Sequence, residues 1–274
     1  MMRECFMMRF CKFFLLFCFS ALITSAQAEA QDQKQLFLKL NQYYVFTPES
    51  YYINNDNRFM VPLRVVDDLI GADVVFNKET KTAEITFSDQ EVKFTSDSNK
   101  VTINNTPFSM NTKVAYNEKT ETLFIPVYIL INTFNLNVQW NHTWKQLDIN
   151  DERIMESKGI PDLKGSDVWR SKVSNANAFR MVHYALRKVH EEEMFTRMQI
   201  EFTAENITGY YIHEGKEDIH YWIKLNNSFC AETDTKEQRP RPYVKAKEIT
   251  KKVIPFDINK GDALNYIVIW PRTV

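Results

Sequence analysis

The sequence predicts an α+β fold, and three observations carry that expectation. A pattern of short helix followed by two strands occurs twice, displaced by 64 residues. The stretch Ala176–Glu193 has apolar residues at helical spacing. The rest of the final third alternates apolar and polar residues with period two. Apolar residues make up 44% of the 274-residue chain and aromatics 14%, enough for sizeable cores. The formal charge is -1 and the Lys and Arg residues form no stripe, which argues against nucleic acid as a partner.

The duplication is read without gaps. Met60-Val61-Pro62-Leu63 recurs as Phe124-Ile125-Pro126-Val127. At the same offset Gly71 falls on Asn135, Val74 on Val138, Phe76 on Trp140, Lys81 on Lys145 and Ile85 on Ile149. Pro62 suits the first turn of a helix, where its missing N–H costs nothing. Val65, Val66, Leu69 and Ile70 then supply an apolar face. Gly71 and Asn135 stand where each helix must end in a left-handed turn, which these two residue types tolerate best. Strands are expected at 72–76 and 82–87, and again at 136–140 and 144–149. Further strands are expected at 91–95 and 100–103, with Asn104-Asn105 as a turn after them.

The motif Met60-Val61-Pro62-Leu63-Arg64, then Gly71-Ala72-Asp73-Val74, then a strand pair, resembles the copper amine oxidase N-terminal (stalk) domain family over about residues 36–151. The second copy departs from the family pattern, with Tyr128 in place of the Arg and Asn135 in place of the Gly, although Trp140 is closer to it than Phe76. The resemblance implies two tandem units of antiparallel sheet, each wrapped around a short helix, and an accessory role outside any catalytic domain. It does not imply an oxidase. Asn265-Tyr266 is followed by Ile267, not the acidic residue that the family's quinone-forming tyrosine requires. The five histidines (His142, His183, His190, His213 and His220) lack the one-residue spacing of its copper ligands.

Residues 1–30 read as a signal peptide. Arg3, Arg9 and Lys12 precede the apolar run Phe13–Ile23, and small residues follow, with cleavage after Ala28 or Ala30 fitting equally. The run is too short to span a bilayer comfortably, and no second long run follows, so no transmembrane segment is expected after cleavage. Phe17 is too bulky for a lipidation site at Cys18. Cys5, Cys11 and Cys18 fall within the leader, leaving Cys230 as a lone thiol that closes an apolar strand.

Gly159, Pro161 and Gly165 punctuate 152–165 as a linker between 31–151 and a second α+β domain at 166–274. In that domain Ala176–Glu193 reads as the one longer helix, with Phe179, Val182, Leu186 and Val189 on its apolar stripe. An antiparallel sheet is expected to follow, ending in Leu264–Trp270, which Pro271 stops. Two sets of residues are candidates for function. His213, Glu214, Asp218 and His220 lie near one another across a probable hairpin and could support acid–base work, although they accompany no nucleophile or oxyanion loop. Tyr210, Tyr211 and Trp222 could offer aromatic faces to a sugar or a protein. No metal site and no cofactor is expected. The expectation is an exported, non-catalytic binding or scaffolding protein of a bacterial cell envelope, its partner an envelope component or surface protein. The alternative is a secreted enzyme working through the His213 set.

Overall fold

A strand that is apolar on both faces needs a covering layer on each side, and Tyr43-Tyr44-Val45-Phe46 is such a strand, with all four residues buried. The computed structural model describes residues 35–156, 165, 167, 169–226, 229–230 and 241–274, so the signal-peptide reading lies outside the described residues. Leu36–Val274 forms one compact unit. It opens with the antiparallel hairpin β1 (Phe37–Leu40) and β2 (Tyr43–Phe46). Next come β3 (Tyr52–Ile53) and β4 (Phe59–Pro62). Pro62, with φ -65° and ψ 138°, is the last extended residue and caps helix α1 (Leu63–Val65), one position earlier than expected. The helix loosens into a π turn, Val66–Ile70, and stops at Gly71, where φ is 83°.

Strands β5 (Asp73–Asn77), β6 (Thr82–Phe87), β7 (Gln90–Thr95), β8 (Lys100–Ile103) and β9 (Thr106–Ser109) then form a five-stranded antiparallel meander. Asn104 and Asn105 both take positive φ between β8 and β9, the geometry of a tight two-residue hairpin turn. After β10 (Ala115–Asn117), the strand β11 (Thr122–Pro126) leads into α2 (Val127–Phe134). Asn135 ends that helix at φ 50°, and β12 (Val138–Asn141) and β13 (Gln146–Ile149) follow. Lys81 and Lys145, which match at the 64-residue offset, turn their hairpins with φ of 51° and 53°. β4 and β11 pair antiparallel, with Val61 opposite Ile125, Met60 opposite Pro126 and Pro62 opposite Phe124. The two matching segments therefore lie on each other about a local twofold.

The C-terminal half corrects the sequence reading most. Ala176–Glu193 does not hold a helix: β14 (Phe179–Glu191) is a long strand paired with β15 (Phe195–Asn206). Its register shifts between Met181 and His183 and between Lys188 and His190. At the first of these the inward residues are displaced by one place, so buried Met181 is followed by buried Tyr184, while Arg187–Glu191 around the second are exposed. That three-residue step imitates helical spacing. The remaining strands are β16 (Glu217–Leu225), β17 (Phe229–Cys230), β18 (Ile249–Asn259) and β19 (Leu264–Thr273). Cys230 falls in β17, but its side chain lies outside the described residues. β19 runs through Pro271 instead of stopping there. On that side β2 pairs only with Ile267–Ile269, so a missing N–H at Pro271 breaks no ladder with it.

The fold is mostly β, with antiparallel sheets and few helices. Its centre is a seven-stranded sheet in the order β12-β13-β1-β2-β19-β16-β17, whose one parallel pair is β1–β13. Strands from both halves of the sequence interleave there, so residues 166–274 do not form a domain apart from 31–151. One face carries Leu38, Leu40, Tyr43, Val45, Trp222, Val268 and Trp270, packed with Val61, Val65, Leu69, Ile85, Phe94, Ile125 and Phe134 of the duplicated region. The other carries Phe37, Tyr44, Phe46, Ile219, Tyr221, Ile223 and Ile269, packed with Phe179, Met181, Ile200, Phe202 and Phe256 of the three-stranded sheet β14-β15-β18. The outer face of that smaller sheet is laced by cross-strand ion pairs, among them Arg197 with Asp257 at 2.9 Å and Lys251 with Glu201 at 2.8 Å. Within the stretch read as a linker, Glu152–Glu156 is a 3-10 turn that drives Ile154 into the core, while 157–164 lie outside the described residues.

A chain ending at residue 151 keeps β1 and β2 but loses β16, β19 and the smaller sheet, and so uncovers both faces of the hairpin. Such a fragment is expected to show no cooperative thermal transition by circular dichroism. A sharp transition near that of the full chain would contradict the shared core.

Candidate functional site

The structure splits the His213 set. His213 and Glu214 are exposed on the approach to β16, where Gly215 turns the chain at φ 78°. Asp218 and His220 lie within β16 at 0% and 1% exposure. His213 sets its ring edge-on to Tyr211 at 4.6 Å, and His220 packs edge-on to Trp222 at 4.4 Å.

Asp218 belongs instead to a buried ionic network. It sits opposite Arg272 across the β16–β19 pair, and Arg272 Nε donates to its Oδ2 at 2.7 Å. The two terminal nitrogens of Arg272 fork onto Asp167, one of them reaching Oδ1 at 2.7 Å. Arg241 approaches Asp218 Oδ1 at 3.1 Å and donates to the Glu217 backbone carbonyl at 2.9 Å. Lys252 reaches the Glu217 carboxylate at 2.8 Å. Three carboxylates thus meet three cations, and the Arg272 guanidinium lies 4.2 Å from the centre of the Trp270 ring. Burial pushes the Asp167 carboxyl upward, but the hydrogen bonds and charge of Arg272 outweigh it and hold the group below its ordinary 3.8. The network braces Asp167 and Arg241, from two separate connecting segments, onto the end of the central sheet. Sequence reading singled out Asp218 alone, because the partners arrive from places far apart in the chain.

The aromatic candidates also divide. Trp222 is 1% exposed and packs edge-on to Tyr43 at 6.1 Å, so it is a core residue and offers no binding face. Tyr210 and Tyr211 are 59% and 48% exposed, and Tyr243, which the sequence did not suggest, joins them at 46%. Tyr211 and Tyr243 stack 5.3 Å apart with 24° between their planes. Their segments are joined by the paired Ile212–Val244 bridge. They are fixed from below by buried Asn206, whose amide donates to the carbonyls of Tyr210, Val244 and Lys245. The result is a rigid exposed shelf of tyrosines.

The motif residues are chiefly architectural. Leu63 is buried, Phe76 stacks on Tyr116 at 6.3 Å, and Trp140 packs on Phe59 and donates to His142 Nδ1 at 3.1 Å. Arg64 differs: it is exposed and donates to Asn265 of β19. It lines a cleft of about 540 Å³ between the duplicated region (Glu49, Thr122) and the β18–β19 turn (Lys260, Asp262). A second cleft of about 440 Å³ lies between the β3–β4 turn and the segments around Asp97 and Asn111. Neither cleft is lined by any member of the His213 set. Among the described residues no three His, Cys, Asp or Glu side chains are placed to hold a metal ion, and no helix is long and apolar enough to cross a membrane.

Arg272→Met leaves the Asp167 and Asp218 carboxylates buried without their shared cation. It is expected to cost about 3–5 kcal/mol in urea unfolding at neutral pH. In the unmodified chain Asp167's depressed value means that its contribution is complete above about 3.8 and is lost as pH falls through the lower folded value. Without Arg272 protonation relieves the buried charge, so the penalty shrinks on acidification. A penalty under 1 kcal/mol, or one that grows in acid, would contradict this account.

No curated protein and no solved structure matches the chain. The family model of the copper amine oxidase N-terminal domain matches residues 39–149. That span begins within β1 and ends with β13, and it contains both copies of the 64-residue pattern. Residues 39–149 are thus similar to a copper amine oxidase N-terminal domain, here built into a larger sheet.

Proposed function

We propose that the protein is an exported, non-catalytic binding or scaffolding protein of a bacterial cell envelope, its partner an envelope component or a surface protein. The observation that carries this reading is the tyrosine shelf. Tyr210, Tyr211 and Tyr243 leave about half of their surface in water although their backbone is firmly held. Large aromatic side chains on a rigid support bury much area on contact at little cost in conformational entropy. The leader-like N-terminus supports export. The accessory character that the stalk resemblance implies, and the division of the His213 set between surface and core, support a role in recognition over catalysis.

Residues 31–274 are expected to co-sediment saturably with isolated envelopes of the source cell. Replacing Tyr211 and Tyr243 together by Ala should weaken that binding about tenfold while the circular dichroism is unchanged. No saturable binding by the unmodified chain would sink the reading, and an unaffected double variant would remove the shelf from it. Mass spectrometry of the exported chain should show it beginning at Glu29 or Gln31; an intact leader would contradict export by a cleaved signal.

A further inference from the structure

The cleft of about 440 Å³ beside Asn54 is distinct from the tyrosine shelf and shares no residue with it. We propose that this cleft binds a neutral saccharide. Its size suits a small ligand, and its walls are already fixed. The Asn54 side chain donates to Thr112 Oγ1 at 2.5 Å and accepts from the backbone N–H groups of Asp56 and Arg58, at 3.1 and 2.9 Å. Across the cleft the Asp97 N–H donates to the Val114 carbonyl at 2.9 Å, and the Val114 N–H to Ser98 at 3.1 Å. A ligand entering it would therefore order little of the protein.

Four of the twelve residues that line the cleft are asparagines, Asn54, Asn55, Asn99 and Asn111. The Asn55 side chain, Asn99 Oδ1 and Asn111 Nδ2 make no hydrogen bond with the described protein. Asn55 presents donor and acceptor side by side, as do the neighbouring hydroxyls of a sugar ring, while Asn99 adds an acceptor and Asn111 a donor, so the match needs no net charge. Tyr52 supplies an aromatic wall, half-buried and braced edge-on by Phe124 at 5.2 Å, against which the apolar face of a pyranose can pack. The charges disfavour an anionic ligand. Asp56 and Asp97 outnumber Lys113. The adjacent Arg58 is committed, its Nε donating to Asn111 Oδ1 at 3.1 Å and its guanidinium lying 4.5 Å from the centre of the Tyr128 ring.

The test is calorimetric titration of residues 31–274 with maltose, cellobiose, lactose and diacetylchitobiose. At least one is expected to bind saturably at a single site. Asn55→Ala with Asn99→Ala, both at exposed positions, should weaken it about tenfold with the melting midpoint unchanged. The Tyr211→Ala, Tyr243→Ala variant should bind the sugar as the unmodified chain does, so failure here and failure of the envelope reading are separable. The proposal is overturned if none of the four sugars binds, or if binding survives the paired Asn substitutions. Saturable calcium binding lost in that pair, without sugar binding, overturns it in favour of a cation site.

Discussion

The rest of the structure depends on one sheet being buried on both faces. Along β2 the side chains alternate between two cores: Tyr43 and Val45 face the duplicated region, Tyr44 and Phe46 the three-stranded sheet. β16 and β19 do the same, with Trp222, Val268 and Trp270 on one side and Tyr221, Ile267 and Ile269 on the other. Full burial of such side chains is worth about 1.5–3 kcal/mol each, so removing either covering layer exposes a row of them at once. Neither core closes without strands supplied by the other half of the sequence.

This constraint explains why the region that matches the family model has no clean edge. Its first and last strands, β1 and β13, pair parallel with each other inside the shared sheet, and β2 hands that sheet on to β19. It also explains the fate of the acid–base candidates. β16 must bury both its faces, so Asp218 and His220 go inside with it and Asp218 is neutralised by Arg272 and Arg241. His213 and Glu214, before the strand begins, stay in water. The exposed tyrosines and the Asn54 cleft lie at the periphery, where side-chain hubs such as Asn206 and Asn54 hold the chain together with short pairings such as Ile212–Val244 and β3–β4.

Much of the duplicated region was legible because its signals are local. Gly71 and Asn135 mark left-handed helix ends, Asn104-Asn105 a tight hairpin, and Pro62 and Pro126 the change from strand to helix. The C-terminal half was less legible because its decisive features are not local. Irregular register in β14 turned period two into an apparent helix. Alternation in β16 leaves open whether the face bearing His220 and Trp222 is exposed or partnered, and a second layer covers it. Tyr243 became part of the candidate surface only by stacking on Tyr211, more than thirty residues earlier. Pairing across such distances leaves no trace in the spacing of either segment.

The central claim is that Leu36–Val274 is held as one body by its shared sheet. Native-state hydrogen exchange across a urea series tests it most directly, by comparing amides of β6 and β7 in the duplicated region with amides of β15 in the smaller sheet. The account predicts that both groups reach exchange through the same global opening, with matching free energy and urea dependence. Separate openings, with one group exchanging while the other stays protected, would show that the two halves are independent units and would contradict it.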